Sequence, residues 1–200
     1  MRGSKSVAIA LFMLFVAWWS TSASSDSNEV RDFIKFFFEK TGEISNYSKA
    51  KKKESEFLAL ARDNIDVEWI ANFVLGKHRK NLDKDQKNQF IETYSNYLVT
   101  SYRSILGIYS SNNYEILSVL EQQKGKIFIV NTVLSFNSKK VRNSFRVAKK
   151  NNKYYITDVT SEGISFISAK RAEIDAALVS KGFDRFMEDL KSSMLDKNKK

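Results

Sequence analysis

The feature that most constrains the fold is a change in the spacing of apolar residues near position 110. Before that point, large apolar residues such as Phe90, Tyr94 and Tyr97 recur three or four positions apart, the spacing of an amphipathic helix. Beyond it, Phe145 and Val147 alternate with polar neighbours, the period of a half-buried strand. The chain is therefore predicted to form helices first and a sheet afterwards.

The turn and capping residues divide these two regions into elements. Gly125 and the pair Asn151-Asn152 mark turns between strands, while Asp66 and Asp83 are placed to cap helices. Strands are predicted at 114–120, 127–136, 141–148 and 154–160, and helices at 30–43, 49–65, after 66, from 83, at 169–181 and at 183–195. The order predicts an α+β fold, with helices packed on one face of a four-stranded antiparallel sheet; that these layers enclose an apolar cavity is what the family resemblance described below implies.

The first residues have the three-part layout of a secretory signal. Arg2 and Lys5 precede an uncharged run at 7–19, and small residues follow at 21–23, as in a cleavable signal peptide. The run is shorter than the roughly 20 residues that span a bilayer. We predict a signal peptide at 1–23, a single domain at 24–200 and export to the periplasm. An uncleaved N-terminal anchor is the alternative.

Composition excludes several kinds of chemistry. The chain has no cysteine and one histidine, His78, so it has no thiol nucleophile, no disulfide and no metal site built on two histidines. The sequence offers neither a G-x-S-x-G elbow nor a glycine-rich phosphate loop, and no catalytic or metal-binding residues are predicted. The net charge of +10 falls to +8 without Arg2 and Lys5. In an exported protein it fits anionic membranes or acidic proteins better than nucleic acid, and on charge alone a solvated surface is the favoured interpretation.

Two stretches rich in apolar and aromatic residues surround turn glycines, FVLGKHR at 73–79 and YYITDVTSEGISFISAK at 154–170. On the long helix, Tyr102 and Tyr109 widen the apolar stripe beyond what one packed neighbour needs. Tyrosines that face a cavity can bury the ring and keep the hydroxyl near its mouth. The stripe indicates either a ligand chamber or plain core packing.

At these residues the chain resembles the MlaC family of periplasmic phospholipid-binding proteins, also called toluene-tolerance proteins. The similar positions are the "vLG" element Phe73-Val74-Leu75-Gly76, the helix start at 83–90, the pair Tyr102 and Tyr109, the "yD…eGvS" block Asp158, Glu162, Gly163, Ile164 and Ser165, and the terminal helix at 181–190. The similarity extends over nearly all of the region after the signal. His78 and Arg79 replace the aromatic residues usual after the glycine.

The resemblance implies a soluble carrier with phospholipid as cargo and no cofactor. Family members move phospholipid between an outer-membrane lipoprotein complex and the MCE-domain subunit of an inner-membrane ABC transporter, in a system that maintains lipid asymmetry. They hold acyl chains between the sheet and the helices, with the head group outside. The chain is expected to be monomeric, and it is not expected to be an enzyme.

We predict that apolar residues of both halves of the chain form the wall of the lipid site. They are Phe73, Leu75, Tyr94, Leu98, Tyr102, Ile105 and Leu106 from helices and Ile129, Val133, Phe145, Val147, Tyr155 and Val159 from strands. The pattern leaves open which strand face turns inward. Lys77 and Arg79 are candidates for partner docking. The alternatives are an enzyme of the nuclear-transport-factor-like kind, with an Asp–His pair in its pocket, and a periplasmic adaptor with a filled core.

Overall fold

The computed structural model describes residues 25–106, 113–136 and 138–197, with the side chains of these residues apart from 99, 102–106, 136 and 195–197. The predicted signal peptide at 1–23 lies outside the described residues. The helices are α1 (Ser25–Ser45), α2 (Ala50–Asn64), α3 (Val67–Leu75), a 3₁₀ turn (Gly76–Lys80), α4 (Lys84–Leu106), α5 (Phe166–Lys181) and α6 (Phe183–Lys197).

The strands form one antiparallel sheet with the order β1-β2-β3-β4-β5. They are β1 (Tyr114–Gln122), β2 (Ile127–Phe136), β3 (Lys139–Lys150), β4 (Lys153–Ser161) and β5 (Ile164–Ser165). The predicted α+β fold is confirmed, with one strand more than expected. The extra strand has two residues and follows the tight turn at Glu162 and Gly163, where φ is positive, so it is too short to show a periodic pattern.

The helix starts lie where the capping residues predicted them. Asp66 Oδ1 accepts a hydrogen bond from the Trp69 amide at 3.1 Å and begins α3. At α4, Asp83 Oδ1 accepts from the Gln86 amide at 2.8 Å, and Gln86 Oε1 accepts from the Asp83 amide at 3.1 Å. This reciprocal capping box satisfies two amides that a helix start otherwise leaves unpaired.

The register of the sheet separates a dry face from a wet one. Phe128 lies opposite Val147, and Val130 lies opposite Phe145; all four are buried and belong to what we call the inner face. The residues that alternate with them along β2 and β3 belong to the outer face. On that face Arg142 is exposed, and Ser144 and Arg146 are half-buried. The prediction that the third strand is wet on one side is confirmed.

The inner face packs against α1 and α2 to form the first apolar cluster, which we call the sheet core. From α1 it takes Phe37 and Phe38, whose side chains are fully buried. The Phe38 ring meets the Tyr114 ring edge-on at 4.5 Å and the Phe145 ring at 5.1 Å. The buried members are Val30, Ile34, Phe37, Phe38, Ile44, Phe57, Leu60, Phe128, Val130, Leu134, Phe145, Val147 and Ile156.

The helices α3, α4, α5 and α6 form a second apolar cluster, the helical core. Phe90 and Tyr94 of α4 stack at 5.2 Å, and Phe186 of α6 lies 6.2 Å from Phe90. The buried members are Ile70, Ala71, Val74, Leu75, Phe90, Tyr94, Leu98, Ile167, Ile174, Leu178, Phe186, Met187 and Leu190. Ile65, between α2 and α3, packs against both cores.

The two edges of the sheet, formed by β1 and by the part of β4 beyond β5, contact different segments of the chain. At β4, Ile65 forms a parallel bridge with Ile156, and the Asp66 amide donates to the Ile156 carbonyl at 3.0 Å. At β1, the pairing shifts between Ile116 and Ser118. Arg31 Nη1 of α1 donates to the Ile116 carbonyl at 3.1 Å.

The start of α1 is tied to the end of the sheet. The helix begins at Ser25, five residues before the predicted start. Asp26 Oδ1 accepts from Lys149 Nζ at 2.5 Å, and Glu29 Oε2 accepts from the Tyr154 hydroxyl at 2.9 Å. Burial, followed by the hydrogen bond to Glu29, raises the pKa of Tyr154 to about 12. Residues 25–29, which precede the predicted helix, are therefore helical, because β3 and β4 supply partners for their acidic side chains.

Candidate functional site between the two apolar cores

Four of the seven predicted wall residues on helices have described side chains, and these four belong to the helical core or pack against it. Leu75 and Tyr94 are each 1% exposed, and Leu98 is 6% exposed. Phe73 is half-buried and packs against the same core. The remaining three, Tyr102, Ile105 and Leu106, have side chains outside the described residues.

The predicted wall residues on strands are divided between the two faces of the sheet. Phe145 and Val147 are buried on the inner face, and Val159, opposite Phe145, packs against the sheet core. The other three, Ile129, Val133 and Tyr155, are half-buried on the outer face. The structure therefore brings the first three together and sets the second three apart from them.

The sheet core and the helical core meet at Ile65 and α2. Ile65 touches both cores, and α2 packs against α4 as well as against α1. Half-buried aromatic side chains lie at the margins of both cores, among them Tyr47 and Tyr114 at the sheet core and Tyr97 at the helical core. Burial, with a smaller contribution from Glu39, raises the pKa of the Tyr114 hydroxyl. This junction is our candidate functional site.

A separate cleft of about 350 Å³ lies at the end of α3. Its lining consists of Val74, Leu75, Gly76, Lys77, Ser168, Arg171, Ala172 and Asp175. Lys77, one of the two predicted docking residues, lines this cleft, and Arg79 is exposed on the same 3₁₀ turn. Sequence reasoning did not find Arg171 or Asp175, which lie more than ninety positions away and reach the turn only because α5 packs beside it.

The single histidine is paired with an acid in this cleft. His78 Nε2 lies 2.7 Å from Asp175 Oδ1, and Lys77 Nζ lies 2.9 Å from the same oxygen. The hydrogen bonds from Lys77 and then from His78 hold the pKa of Asp175 below its usual range. An Asp–His pair exists, but it is an ion-paired surface group and lies outside the junction of the two cores.

The described ranges contain neither a cluster of metal ligands nor a membrane-spanning helix. In the part of the chain that the structure describes, no three His, Cys, Asp or Glu side chains are grouped as metal ligands. Across the same residues, every helix is either too short or too polar to cross a membrane.

Comparison with solved structures identifies the fold class. A phospholipid-binding protein from Ralstonia solanacearum, solved in complex with a phospholipid, superimposes with a TM-score of 0.68 at 11% sequence identity. The match covers 85% of this chain and 98% of that one. The chain therefore has the fold of this class of protein.

The family follows from the sequence itself. The model of the MlaC protein family matches residues 38–192, so the chain belongs to the MlaC family, as the resemblance indicated. No curated protein matches the chain. The matched segment includes α2 to α5 completely, the whole sheet, and every buried member of the two cores except Val30, Ile34 and Phe37 of α1.

Proposed function

We propose that the protein binds phospholipid and carries it through the periplasm between the outer and inner membranes. The observation that supports this most is the likeness of the fold to a protein that was solved with a phospholipid bound, over 98% of that protein's chain. Membership of the MlaC family supports the same function. The signal-like residues 1–23 support export, and the absence of a catalytic motif supports binding over catalysis.

We place the acyl chains at the junction of the sheet core and the helical core. The wall then consists of inner-face residues such as Val159 and helical residues such as Leu98, while Ile129, Val133 and Tyr155 lie on the other side of the sheet. Two apolar surfaces that face each other can separate and accept an apolar chain between them, because the chain replaces the contacts they lose. Tyr102, Ile105 and Leu106 extend the wall in this proposal.

Transfer of the lipid must take place in a docked complex. A buried methylene is worth about 0.8 kcal/mol, so two acyl chains with on the order of 30 methylenes give a barrier of at least roughly 20 kcal/mol to release into water. Such a barrier makes free release too slow for transport. We propose that the protein docks with an outer-membrane lipoprotein complex at one end of its path and with an MCE-domain subunit of an ABC transporter at the other.

Lipid loading tests the proposal directly. Protein purified from a bacterial periplasm should carry phospholipid in about equimolar amount, by native mass spectrometry and by solvent extraction, and its intact mass should lack residues 1–23. Protein that is lipid-free after purification and takes up no lipid from vesicles would contradict the carrier function.

A matched pair of substitutions tests the location of the site. Leu98→Glu places a charge at a position 6% exposed in the helical core, whereas Val179→Glu places the same charge on α5 at a position 69% exposed. We expect the first variant to lose lipid and the second to keep it, because an unpaired charge is costly in an apolar chamber. Circular dichroism must show that both variants are folded. Equal loading of two folded variants would place the lipid elsewhere.

A further inference from the structure

The cleft at the end of α3 has an excess of positive charge that its own acid does not balance. Three cations, Lys77, Arg79 and Lys80, occur within the five residues of the 3₁₀ turn. The side chains that line the cleft include two cations, Lys77 and Arg171 of α5, and one carboxylate, Asp175, while Arg79 and Lys80 are exposed on the same turn. Clustered cations at a concave surface attract anions, since the low-dielectric walls concentrate the field.

Asp175 is already neutralised by its neighbours. Lys77 Nζ lies 2.9 Å from Oδ1 and 3.2 Å from Oδ2, and His78 Nε2 lies 2.7 Å from Oδ1. The lowered pKa of Asp175 has the same cause, the hydrogen bonds from Lys77 and His78. Asp175 therefore positions Lys77 in the cleft and has no ion pair with Arg171.

Arg171 is held in place by packing. Its guanidinium lies 5.0 Å from the Phe73 ring centre. It also crosses Gly76 so closely that a Cβ there would be 2.8 Å from Nε and 2.9 Å from Nη2. Gly76 has a φ of 52° and a ψ of −123°, which favours glycine. Among the described residues no carboxylate pairs with Arg171, and its side chain lines the cleft.

We propose that this cleft is a binding site for a phosphate group, with the Arg171 guanidinium and the Lys77 ammonium as its donors. A planar guanidinium matches phosphate oxygens in a two-pronged arrangement, and an ammonium has three protons, of which Asp175 uses only part. The cleft volume of about 350 Å³ lies in the range of small-ligand sites.

The phosphate has two possible sources with the same chemistry. It is either a free phosphate anion or the phosphodiester of a phospholipid head group. The second source rests on the proposed function. Val74 and Leu75 form the inner wall of the cleft and are also buried in the helical core, so the cleft adjoins one of the two cores where we place the acyl chains.

Calorimetric titration of the lipid-free protein at low salt tests the site. The probes are inorganic phosphate and sn-glycero-3-phosphoglycerol, with glycerol as the uncharged control. Arg171→Gln should weaken binding of the phosphate probes by about tenfold or more, the usual effect of losing hydrogen bonds to a charged group. The matched control is Arg185→Gln, an exposed arginine on α6 that pairs with Glu188 at 3.1 Å and should leave binding unchanged.

Lys77→Gln is the second variant, because Arg171 also packs against Phe73 and its loss could affect folding. Lys77 is 68% exposed, so this variant should melt like the parent and still bind phosphate more weakly. If neither probe binds the parent protein, or if both folded variants bind as tightly as the parent, the site does not exist. Weakening that is equal in Arg185→Gln would show general charge attraction and would equally overturn the proposal.

The two probes distinguish the sources of the phosphate. Equal affinity for both indicates a free phosphate anion, and a clear preference for the diester indicates the lipid head group. Lipid content is measured on the same samples by solvent extraction. Phosphate binding that depends on Arg171 in a protein that never carries lipid would support this site and contradict the proposed function. Lipid loading without any phosphate binding would support the proposed function and contradict this site.

Discussion

The sheet core and the helical core are built on different principles. In the sheet core, α1 and the inner face bury Val30, Ile34, Phe37 and Phe38 completely, against strands about a hundred positions away in sequence. In the helical core, the α5 and α6 members are less completely buried, with Ile167, Leu178 and Phe186 each 8% exposed. Because Leu60 and Leu134 of the sheet core are 9% and 7% exposed, the difference lies in the covering helices: α1 buries four side chains completely, whereas α5 and α6 bury theirs less completely.

This difference matches what the proposed function as a lipid carrier requires of the two cores. A chamber that fills and empties must change the contacts of at least one wall, and close-packed interiors resist such a change. We therefore expect the sheet core to stay fixed while contacts of the helical core change between the loaded and the empty protein. The predictions below test this comparison, beginning with the largest expected effect.

A matched pair of phenylalanine truncations measures how closed each core is. Phe38→Ala removes a fully buried ring that contacts the Tyr114 and Phe145 rings, and should lower the free energy of unfolding by about 4 kcal/mol. Phe186→Ala removes a ring of the helical core that is less completely buried, and should lower the free energy of unfolding by about 3 kcal/mol or less. Urea denaturation of lipid-free protein measures both. Equal losses, or a larger loss for Phe186→Ala, would remove the distinction between the cores.

Two glycine substitutions separate backbone strain from the position of Arg171. Gly76 and Gly182 both have positive φ, and a Cβ at Gly182 would meet no atom within 4 Å. Each change to alanine should cost roughly 1–3 kcal/mol, because the backbone conformation is unfavourable for alanine. Only Gly76→Ala should also displace the Arg171 guanidinium and weaken phosphate binding, because a Cβ there would lie 2.8 Å from Nε and the guanidinium would have to shift.

The measurement is a denaturation curve together with a phosphate titration for each variant. Gly182→Ala with the parent's phosphate affinity is the required control. If Gly76→Ala binds phosphate as tightly as the parent, the close approach of Arg171 to Gly76 has no role in binding.

The capping residue between the two cores tests how they are joined. Asp66 caps α3 through the Trp69 amide and also pairs with Lys150 of β3. Asp66→Ala should cost about 1 kcal/mol from the lost cap alone. Asp66→Asn keeps a capping oxygen and loses the charge, so it should lie between the alanine variant and the parent in a thermal melt. An asparagine variant as unstable as the alanine variant would show that the ion pair matters more than the cap.

The smallest effects concern the acid stability contributed by one ion pair at each core. The hydrogen bond from Lys149 lowers the pKa of Asp26 at the sheet core, and the one from Lys181 lowers the pKa of Asp189 on α6. A lowered folded-state pKa gives stability that is present above the unfolded pKa of about 3.9 and is lost as the pH falls through the folded value.

Asp26→Asn and Asp189→Asn should therefore each reduce the loss of stability below about pH 4, as followed by acid titration of the tryptophan fluorescence. Asp26 joins α1 to β3, whereas Asp189 lies eight positions from Lys181 on neighbouring helices. We expect the larger change for Asp26→Asn, because it ties distant parts of the chain together. A larger change for Asp189→Asn would contradict that ranking.

The local elements of this fold could be predicted from the sequence because their signals are local. The Asp83–Gln86 box and the Asp66 cap need only a few neighbouring residues, and both are observed. The alternation of apolar and polar residues in β3 predicted its buried and solvent-facing sides for the same reason. A two-residue strand such as β5 gives no periodic signal, so the fifth strand was not predicted.

The grouping of site residues could not be predicted because it depends on register. Ile129 and Val133 look like core residues in an apolar run, yet their pairing with Arg146 and Arg142 puts them on the outer face. The cleft at the end of α3 forms only because α5 packs beside the 3₁₀ turn. No short-range sequence pattern links Arg171 with Gly76. Long-range pairing therefore decided which of the many apolar and charged residues share a site.

The protected edge of β1 has a consequence for how this protein behaves at high concentration. An edge strand offers unpaired backbone groups to a second chain and is a common starting point for aggregation. Proline is a frequent defence, but this chain contains none. Here the register shift beside Leu117 and the hydrogen bond from Arg31 to the Ile116 carbonyl interrupt the row of backbone acceptors along β1 instead. The strand is therefore a poorer template for pairing with a second copy of the chain.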